Sequence, residues 1–552
     1  MSKRQRIFPL FFCFVMLLSL VWMLSACGET AQETTVATTP TKTAAAKPAE
    51  TSVPTTTTTI ITTSEGPKMY STEPLIDLLP APKSLSVEGE TQNYVVYEIK
   101  PAVYTAEESF ATYLNTFIDY TAKLNGVTLA KEEGGITLVK NTALAAGEYQ
   151  ITCARQGIFV SASDADGITY GLATLHQILS NQDGELIVPA YTIADKPDAS
   201  YRALMVDLAR KWHTVDQVKD YIELCYLYKI KFIHLHFTDK ESYTLPSDVL
   251  PKLSTKNRSY TKEEIADINK FALERNVEII PEIDLPGHAQ PFSSAYPVKF
   301  MHKAESGKSC DGNVICIGKN GVMDSLKSLF QELIEMFPNS RYIHVGGDEA
   351  KHDTCNNCKD CKAFMEANGL ASTKALYTRF VKDITDMILA MGKTPVVWEG
   401  FPKEGAETIS RDIVVTAWES LYHLPNDLIA EGFTVTNSSW LPLYIVPPTH
   451  SGVAGGRWQP EDILRWNPYT WRNWWSASAA YEKPIVVKPT DQVIGGTLCA
   501  WECTYDEDII PVKENLIALS ERLWNVNGSV STTKFKEATE KQIGRASCRE
   551  RV

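Results

Sequence analysis

A parallel (β/α)8 barrel (TIM barrel) preceded by a small α+β domain is the fold this 552-residue sequence predicts. Three observations predict it. From about residue 200, eight short apolar runs alternate with amphipathic helical stretches. Near-continuous apolar strands, each followed by a helix, are the pattern of parallel strands covered on both faces. Eight such units over roughly 330 residues have the size of a barrel. Ahead of them, residues 72–196 mix period-two apolar segments with two helical ones, which is an α+β pattern.

The elements follow in chain order. Residues 1–27 carry Lys3, Arg4 and Arg6, then the apolar run "IFPLFFCFVMLLSLVWM" and "LSAC". This resembles a bacterial lipoprotein signal, in which Cys27 becomes the lipidated residue. The expectation is an exported chain, lipid-anchored to the cell membrane and facing outside the cytoplasm. Residues 28–70 are rich in Thr, Pro and Ala and read as a flexible linker, having too few apolar side chains to bury anything. Residues 71–197 hold the α+β domain, with strands at "NYVVYEI", "GITLVK", "EYQITCA" and "GIFVSAS". Its helices lie at "EESFATYLNTFIDYTAKL" and "GITYGLATLHQILS". Residues 198–530 hold the barrel, its strands being "YRALMVDLA", "FIHLHFT", "VEIIPEID", "YIHVGGDE", "TPVVWEG", "DIVVTAWE", "FTVTNSS" and "VIGGTLCAWE". Residues 531–552 form a tail. Its end, 542–552 ("QIGRASCRERV"), resembles a translated sequencing-adapter read-through, so Cys548 is set aside.

Composition bounds the partners. Hydrophobic content of 44% with 22% charged residues is globular. A net charge of −13 with no basic stripe argues against nucleic acid and suits a neutral or mildly charged ligand. No apolar stretch after the leader is long enough to span a bilayer.

Barrels of this kind place their active face at the C-terminal ends of the strands. Those ends carry Arg202 and Asp207; His236 and Asp239; Glu282, Asp284 and His288; and His344, Asp348 and Glu349. Trp398, Trp418 and Trp501 with Glu502 complete the circuit. Polar loops account for one or two such residues, but not for acids, histidines and tryptophans at nearly every end.

The stretch "HVGGDEA" is the sharpest signal. Strand neighbours face opposite ways, so Asp348 and Glu349 share a ligand only if the backbone leaves strand geometry. Gly346 and Gly347 permit that. In isolation "GGDE" reads as a turn and a helix cap; after the fourth barrel strand, opposite other acids and histidines, it reads as a site. Two carboxyls held together separate in pKa, one protonated and one ionised. Glycoside cleavage needs that pair of states. A flat indole offers the apolar face of a sugar a large contact area.

The stretches "YRALMVDLARKW", "IHLHFTDKESYTL", "IIPEIDLPGHAQ", "YIHVGGDEA", "VVWEG" and "GGTLCAWE" together resemble glycoside hydrolase family 20, the β-N-acetylhexosaminidases, over about 72–527. The resemblance implies a substrate-assisted mechanism. Glu349 would protonate the glycosidic oxygen and later activate water. The substrate's own 2-acetamido carbonyl would attack the anomeric carbon, and Asp348 would hold the acetamido N–H. Arg202 would grip sugar hydroxyls at the bottom of the pocket. Asp239, Glu282, Asp284, His288 and His344 would surround the site, Trp398, Trp418 and Trp501 would wall it, and Glu502 would bind a hydroxyl. Tyr444 would bond the acetamido carbonyl, because the family's Trp-Tyr-Leu-Asp is absent and the chain reads "NSSWLPLYIVPP". Asp239-Lys240 stands where the family often has two acids, and Trp501-Glu502-Cys503 stands for Trp-Gly-Glu. These departures leave the core chemistry intact and the exact substrate open.

Two features lie outside that set. Residues 440–475 hold six of the twelve tryptophans (Trp440, Trp458, Trp466, Trp471, Trp474, Trp475), either as the core of an insertion or as platforms for further sugars. Cys310, Cys316, Cys355, Cys358 and Cys361 suit disulfides in an exported chain or a structural zinc site. The chemistry requires no cofactor. The expected activity is exo-β-N-acetylhexosaminidase action on N-acetylhexosamine-containing glycans. A lacto-N-biosidase-type relative that releases a disaccharide is the enzymatic alternative. A non-catalytic glycan-binding lipoprotein is the alternative of another class, against which the intact acid pair argues.

Overall fold

The computed structural model describes residues 77–547 except 91–92, 183, 309–311 and 451–458. Cys27 with the leader, the whole of the linker, Cys310, Trp458 and Cys548 lie outside the described residues. Among the described residues no helix is long and apolar enough to cross a membrane.

The N-terminal domain is a six-stranded mixed sheet. Its order is Ser84–Val87, Tyr191–Asp195, Tyr149–Ala154, Gly157–Ala162, Ile136–Lys140 and Val103–Thr105. Helices Glu108–Asn125 and Ala165–Ile178 bury Phe110, Phe117, Ile168 and Leu172 against Ile136, Ile151, Ile158 and Val160 of the sheet. Asp164 starts the second helix by accepting the Gly167 amide at 2.8 Å.

Eight parallel strands follow: β1 Tyr201–Asp207, β2 Phe232–His236, β3 Glu278–Glu282, β4 Tyr342–His344, β5 Thr394–Trp398, β6 Val414–Ala417, β7 Thr434–Asn437 and β8 Val493–Ala500. Pairing of β1 with β8, from Tyr201↔Gly495 to Val206↔Ala500, closes the barrel. The outer helices are α1 Val215–Leu227, α2 Lys262–Leu273, α3 Val322–Met336, α4 Lys359–Ala367, α5 Thr373–Ala390, α6 Pro425–Ala430 and α7 Tyr505–Trp524. Capping boxes at Thr214–Gln217, Thr261–Glu264 and Thr504–Glu507 fix where α1, α2 and α7 begin. A further helix, α8 Thr532–Ser547, occupies the segment read as a tail. Phe535 and Ala538 are buried in the main core, and Lys536 pairs with Glu461 at 2.7 Å.

Period-two alternation sorts each strand into two faces. On β1, Leu204 and Val206 pack outward with Ile233 and Leu235 of β2 in the large core. Tyr201 and Ala203 face inward with Phe232 and Ile280, forming an apolar plug at the bottom of the barrel. One layer up the interior turns polar with His234, Glu282 and His344, all buried. The inward surface therefore grades from apolar plug to ionisable rim.

The same parity corrects one expectation. Arg202 shares its face with Leu204 and Val206, so it points out of the barrel and not into a pocket. Its guanidinium donates to the carbonyls of Lys229 (3.0 Å) and Ala199 (2.6 Å) and to the Tyr170 hydroxyl (2.6 Å). It lies 5.1 Å from the ring centroids of both Tyr170 and Trp524. Beside it Asp195 accepts from Trp524 Nε1 (2.8 Å) and the Tyr149 hydroxyl (2.6 Å), and lies 3.5 Å from Lys229 Nζ. Arg202 thus joins the N-terminal domain to the barrel floor. Arg202→Ala is expected to lower unfolding free energy on the order of 3 kcal/mol, since three bonds to a buried charge are lost. Calorimetry checks this; ligand affinity of the folded fraction stays unchanged.

Candidate active site

A chain of hydrogen bonds rises from the barrel interior to its mouth. Glu282, the last residue of β3, is fully buried. His234 Nε2 (3.0 Å) and His236 Nδ1 (2.5 Å) contact its Oε2, and Trp398 Nε1 donates to its Oε1 at 2.6 Å. The other nitrogen of His236 reaches Asp239 Oδ2 at 3.2 Å. Asp239 Oδ1 in turn lies 3.2 Å from His288 Nδ1, and His288 Nε2 faces Glu349 Oε2 at 3.4 Å. The sequence supplies this relay by placing histidines at alternate positions of β2, so that His234 and His236 share the inner face.

Asp348 and Glu349 both serve the same cleft because the backbone after β4 leaves strand geometry. Gly346 has φ 73° and Gly347 φ 105°; a Cβ at 346 would sit 1.8 Å from Asp284 Oδ1. The Gly347 amide donates to Asp284 Oδ1 at 3.1 Å, and the Tyr377 hydroxyl donates to the Gly347 carbonyl. Glu349 (φ 47°), His288 (φ 48°) and Glu502 (φ 62°) occupy the left-handed region that side chains rarely adopt. Such strain concentrates where surrounding structure imposes it, as at active sites.

The two acids occupy different surroundings. The Glu349 side chain is 55% exposed at the mouth, whereas Asp348 is buried. Burial raises the Asp348 pKa, and the Asp284 carboxyl rises well above the usual range through burial and the Asp348 charge. Asp284 therefore keeps its proton and bonds to Asp348. Burial alone would lower the His288 pKa, but the negative charge held on the Asp284–Asp348 pair and the contacts to Asp239 and Glu349 keep it well above 6.5. The His288 contact also lowers the Glu349 carboxyl. In the free site the proton expected on one of the paired acids thus rests on His288, whose Nε2 lies 3.4 Å from Glu349 Oε2. Burial lowers His344 to about 4, so it is a neutral part of the floor.

Aromatic side chains wall one side. Trp398, Trp440, Tyr444 and Trp501 are buried together with Met205 and Cys499, with Trp418 and Trp474 packed against them. Tyr444 pairs alongside β8 at Cys499 and stacks on Trp440 (5.1 Å) and Trp418 (6.2 Å). Burial raises its phenol, with the Asp348 charge among the further causes. The expected tyrosine and three tryptophans are therefore brought together.

The other expectations divide. Glu349 and Glu502 stand at the mouth, and the buried Asp348, His288 and Asp239 line the path beneath them. Glu282 and His344, expected to touch ligand, are sealed beneath it, and Asp284 lies behind Asp348. They position what is above them. The rim arginine is Arg210: it contacts Asp207 Oδ2 (3.0 Å), Asp239 Oδ2 (2.7 Å) and Glu502 Oε1 (3.9 Å) and lies 5.0 Å from the Trp501 ring. Strand parity was the available signal, because Asp207 is on the inner face and Arg210 follows it past the strand end. Glu419 was also missed. It is buried, and burial with the charges of Glu399, Glu349 and Asp348 pushes its pKa up to about 9. Glu399 accepts the backbone amides of Ser420, Leu421 and Tyr422 (2.6–3.1 Å) and so holds the Glu419 loop.

The tryptophan-rich insertion divides between the core and the aromatic wall. Trp466 and Trp471 belong to the core, Trp471 Nε1 donating to the Ala417 carbonyl at 3.1 Å. Trp440 and Trp474 join the aromatic wall, and Trp475 is exposed. Disulfides are not found among the described residues: Cys316, Cys355, Cys358 and Cys361 are buried free thiols. His302 gathers with three of them, while His234 and His236 bond to Glu282 and the Asp284 carboxyl accepts the Gly347 amide and lies 4.0 Å from His288 Nε2.

Comparison with known proteins identifies the family and the fold. Residues 200–527 match "Glycosyl hydrolase family 20, catalytic domain" and residues 75–196 match its domain 2. A β-hexosaminidase of Porphyromonas gingivalis is 26% identical over 430 residues, covering 71% of this chain and 54% of the relative. One from Akkermansia muciniphila is 30% identical over 272 residues, covering 45% and 55%. The chain spans about half the length of these curated relatives. The crystal structure of an exo-β-N-acetylglucosaminidase from Vibrio harveyi with N-acetylglucosamine superposes with TM-score 0.72 at 23% identity, over 86% of this chain and 77% of that one. A β-N-acetylhexosaminidase from Bacteroides fragilis gives 0.70 at 21%, over 86% and 96%.

The relay carries a titration signature. NMR of the imidazole nitrogens is expected to show His288 protonated well above its ordinary pKa of 6.5. Asp239→Asn removes a carboxylate that favours the imidazolium, so the His288 midpoint moves to lower pH; an unmoved midpoint contradicts the relay.

Proposed function

This chain belongs to glycoside hydrolase family 20, and we propose that it is an exo-acting, retaining β-N-acetylhexosaminidase. It removes terminal β-linked N-acetylglucosamine or N-acetylgalactosamine from glycans by substrate-assisted catalysis. The observation that carries this reading is the unequal placing of the two acids. Glu349 stands half-exposed at the mouth with a protonated histidine behind it. Asp348 is buried at the aromatic wall and bonded by a neutral Asp284. A carboxylate sunk in this way suits holding a ligand N–H better than attacking an anomeric carbon.

The steps follow from the geometry. The terminal sugar lays its ring against Trp501 and its acetamido group among Trp398, Trp418 and Tyr444. Arg210 and Glu502 meet its outer hydroxyls. Filling the mouth excludes water, which raises the Glu349 carboxyl, and the proton passes from His288 Nε2 to Glu349. Glu349 donates it to the glycosidic oxygen as the C1–O bond breaks. The acetamido carbonyl oxygen bonds to C1, giving a cyclic oxazolinium whose positive charge and N–H face Asp348, while the Tyr444 hydroxyl donates to that oxygen. Glu349, now ionised, takes a proton from water, and the water oxygen replaces the acetamido oxygen at C1. Two inversions leave the anomeric configuration retained.

We further propose, from the sequence alone, that Cys27 is lipidated and that the chain works outside the cytoplasm. The mass of the mature N-terminal peptide tests this, and an unmodified Cys27 in the soluble fraction overturns it.

Glu349→Gln is expected to lower kcat by about 10²–10⁴-fold while ligand affinity is kept. Asp348→Asn is expected to lower kcat by about 10²–10³-fold, as for loss of one preorganised electrostatic contact to the transition state. A thiazoline mimic of the intermediate should inhibit the parent enzyme. Nitrophenyl glycosides without a 2-acetamido group should be turned over poorly; fast cleavage of a plain β-glucoside contradicts the mechanism. A glycan panel read by mass should show loss of single N-acetylhexosamines. Release of a disaccharide would favour the disaccharide-releasing reading, and binding without any cleavage the non-catalytic one.

A further inference from the structure

We propose that His302, Cys316, Cys358 and Cys361 form a structural zinc site that staples together the two loops carrying His288 and Glu349. The four ligand atoms lie within 4.8 Å of one another, and all four residues are buried. Cys316 Sγ is 3.4 Å from Cys358 Sγ and 3.6 Å from Cys361 Sγ, and Cys361 Sγ is 3.7 Å from His302 Nδ1. A tetrahedral ion with bonds of about 2.3 Å separates its sulfur ligands by about 3.8 Å. A disulfide needs about 2.05 Å, so the spacing fits a shared ion better than a bonded pair. Three thiolates and one imidazole make a closed set with no position left for substrate, the pattern of a structural site. Cys-x-x-Cys supplies two ligands from one helix start, since Cys358 caps α4 and Cys361 sits in its first turn. Cys355, also buried, lies outside the set.

The backbone is built for the junction. His302 and Cys316 come from the β3–α3 connection, Cys358 and Cys361 from the end of the β4–α4 connection and the first turn of α4. Ala304 bridges Cys358, and the Lys359 amide donates to the Lys303 carbonyl at 3.1 Å. A Cβ at Gly318 would meet Cys361 Cα at 2.5 Å, so only glycine lets the Cys316 loop close on α4. The same two connections carry His288 and Glu349. They also touch near the site, where a Cβ at Gly287 would lie 2.9 Å from the Asp348 carbonyl. Zinc binding displaces the three thiol protons to solvent and fixes the loops on which the His288–Glu349 contact depends. The site is independent of the substrate assignment.

The full chain, purified without chelator from zinc-supplied cells, is the material for the test. Elemental mass spectrometry should find about one zinc per chain, as expected for a closed four-ligand site. Exchange with cobalt(II) should give the visible bands of a tetrahedral thiolate complex together with sulfur-to-cobalt charge transfer. Cys316→Ser and Cys361→Ser should lose the metal, while Cys153→Ser, in the N-terminal domain, should keep it. If the ligand variants fail to fold, the parent protein's metal content and cobalt spectrum still decide. Non-reducing peptide mapping that finds a disulfide among Cys316, Cys355, Cys358 and Cys361 overturns the proposal. So do freely alkylated thiols in a metal-free folded chain.

Discussion

One buried carboxylate organises the catalytic end of this barrel. Glu282 sits where water cannot reach it, and an unpaired charge there would cost several kcal/mol. Burial alone would raise its pKa, yet the charge of His236 and the bond from His234 hold it well below the ordinary range. Its ionised form in turn fixes the imidazolium of His236 and the indole of Trp398. From those two side chains the rest follows. His236 aims at Asp239, which aligns His288 with Glu349, while Trp398 anchors the aromatic wall beneath Tyr444 and Trp501. A substitution that left Glu282 without its partners would therefore disturb the hydrogen-bond chain and the aromatic wall together.

Above that hub the reactive groups sit on two loops, not on strands. Strand geometry cannot turn adjacent acids toward one cleft, so the chain breaks β4 with two glycines and holds Glu349 in a left-handed conformation. The strain is contained by packing: Tyr377 and Asp284 hold the Gly347 peptide, and Gly287 admits the Asp348 carbonyl. The cluster of His302 with three cysteines lies on these same connections. A metal cross-link there would reduce the freedom of the loops without entering the cleft, which is the preorganisation that acid catalysis requires.

The aromatic wall shows how an insertion can be structural and functional at once. Trp466 and Trp471 turn inward and give the β7–β8 connection a core of its own. That core holds Trp440 and Trp474 against Tyr444, so the wall is rigid before any ligand arrives. Glu399 does similar work on the neighbouring loop, where its carboxylate gathers successive backbone amides and leaves Glu419 enclosed near the acid pair.

Much of this was legible in the chain itself. Apolar periodicity located all eight barrel strands and the two helices of the N-terminal domain, because local patterning reflects which faces are buried. The acid pair, the histidine and acid set at the mouth and the tryptophans were readable because chemistry dictates residue type at strand ends. Facing was harder to read. Arg202 looked like a ligand grip, but period-two alternation turns it outward into the domain junction and leaves the rim to Arg210. Glu282 and His344 were taken for contacts, and depth within the barrel makes them supports. Protonation and cysteine pairing were beyond the sequence for one reason: both depend on distances between residues far apart in the chain. The amino-acid order determined which groups are present and on which element. Only closure of the barrel decided which of them face one another, because that brings β1 to β8 and the β3 loop to the β4 loop.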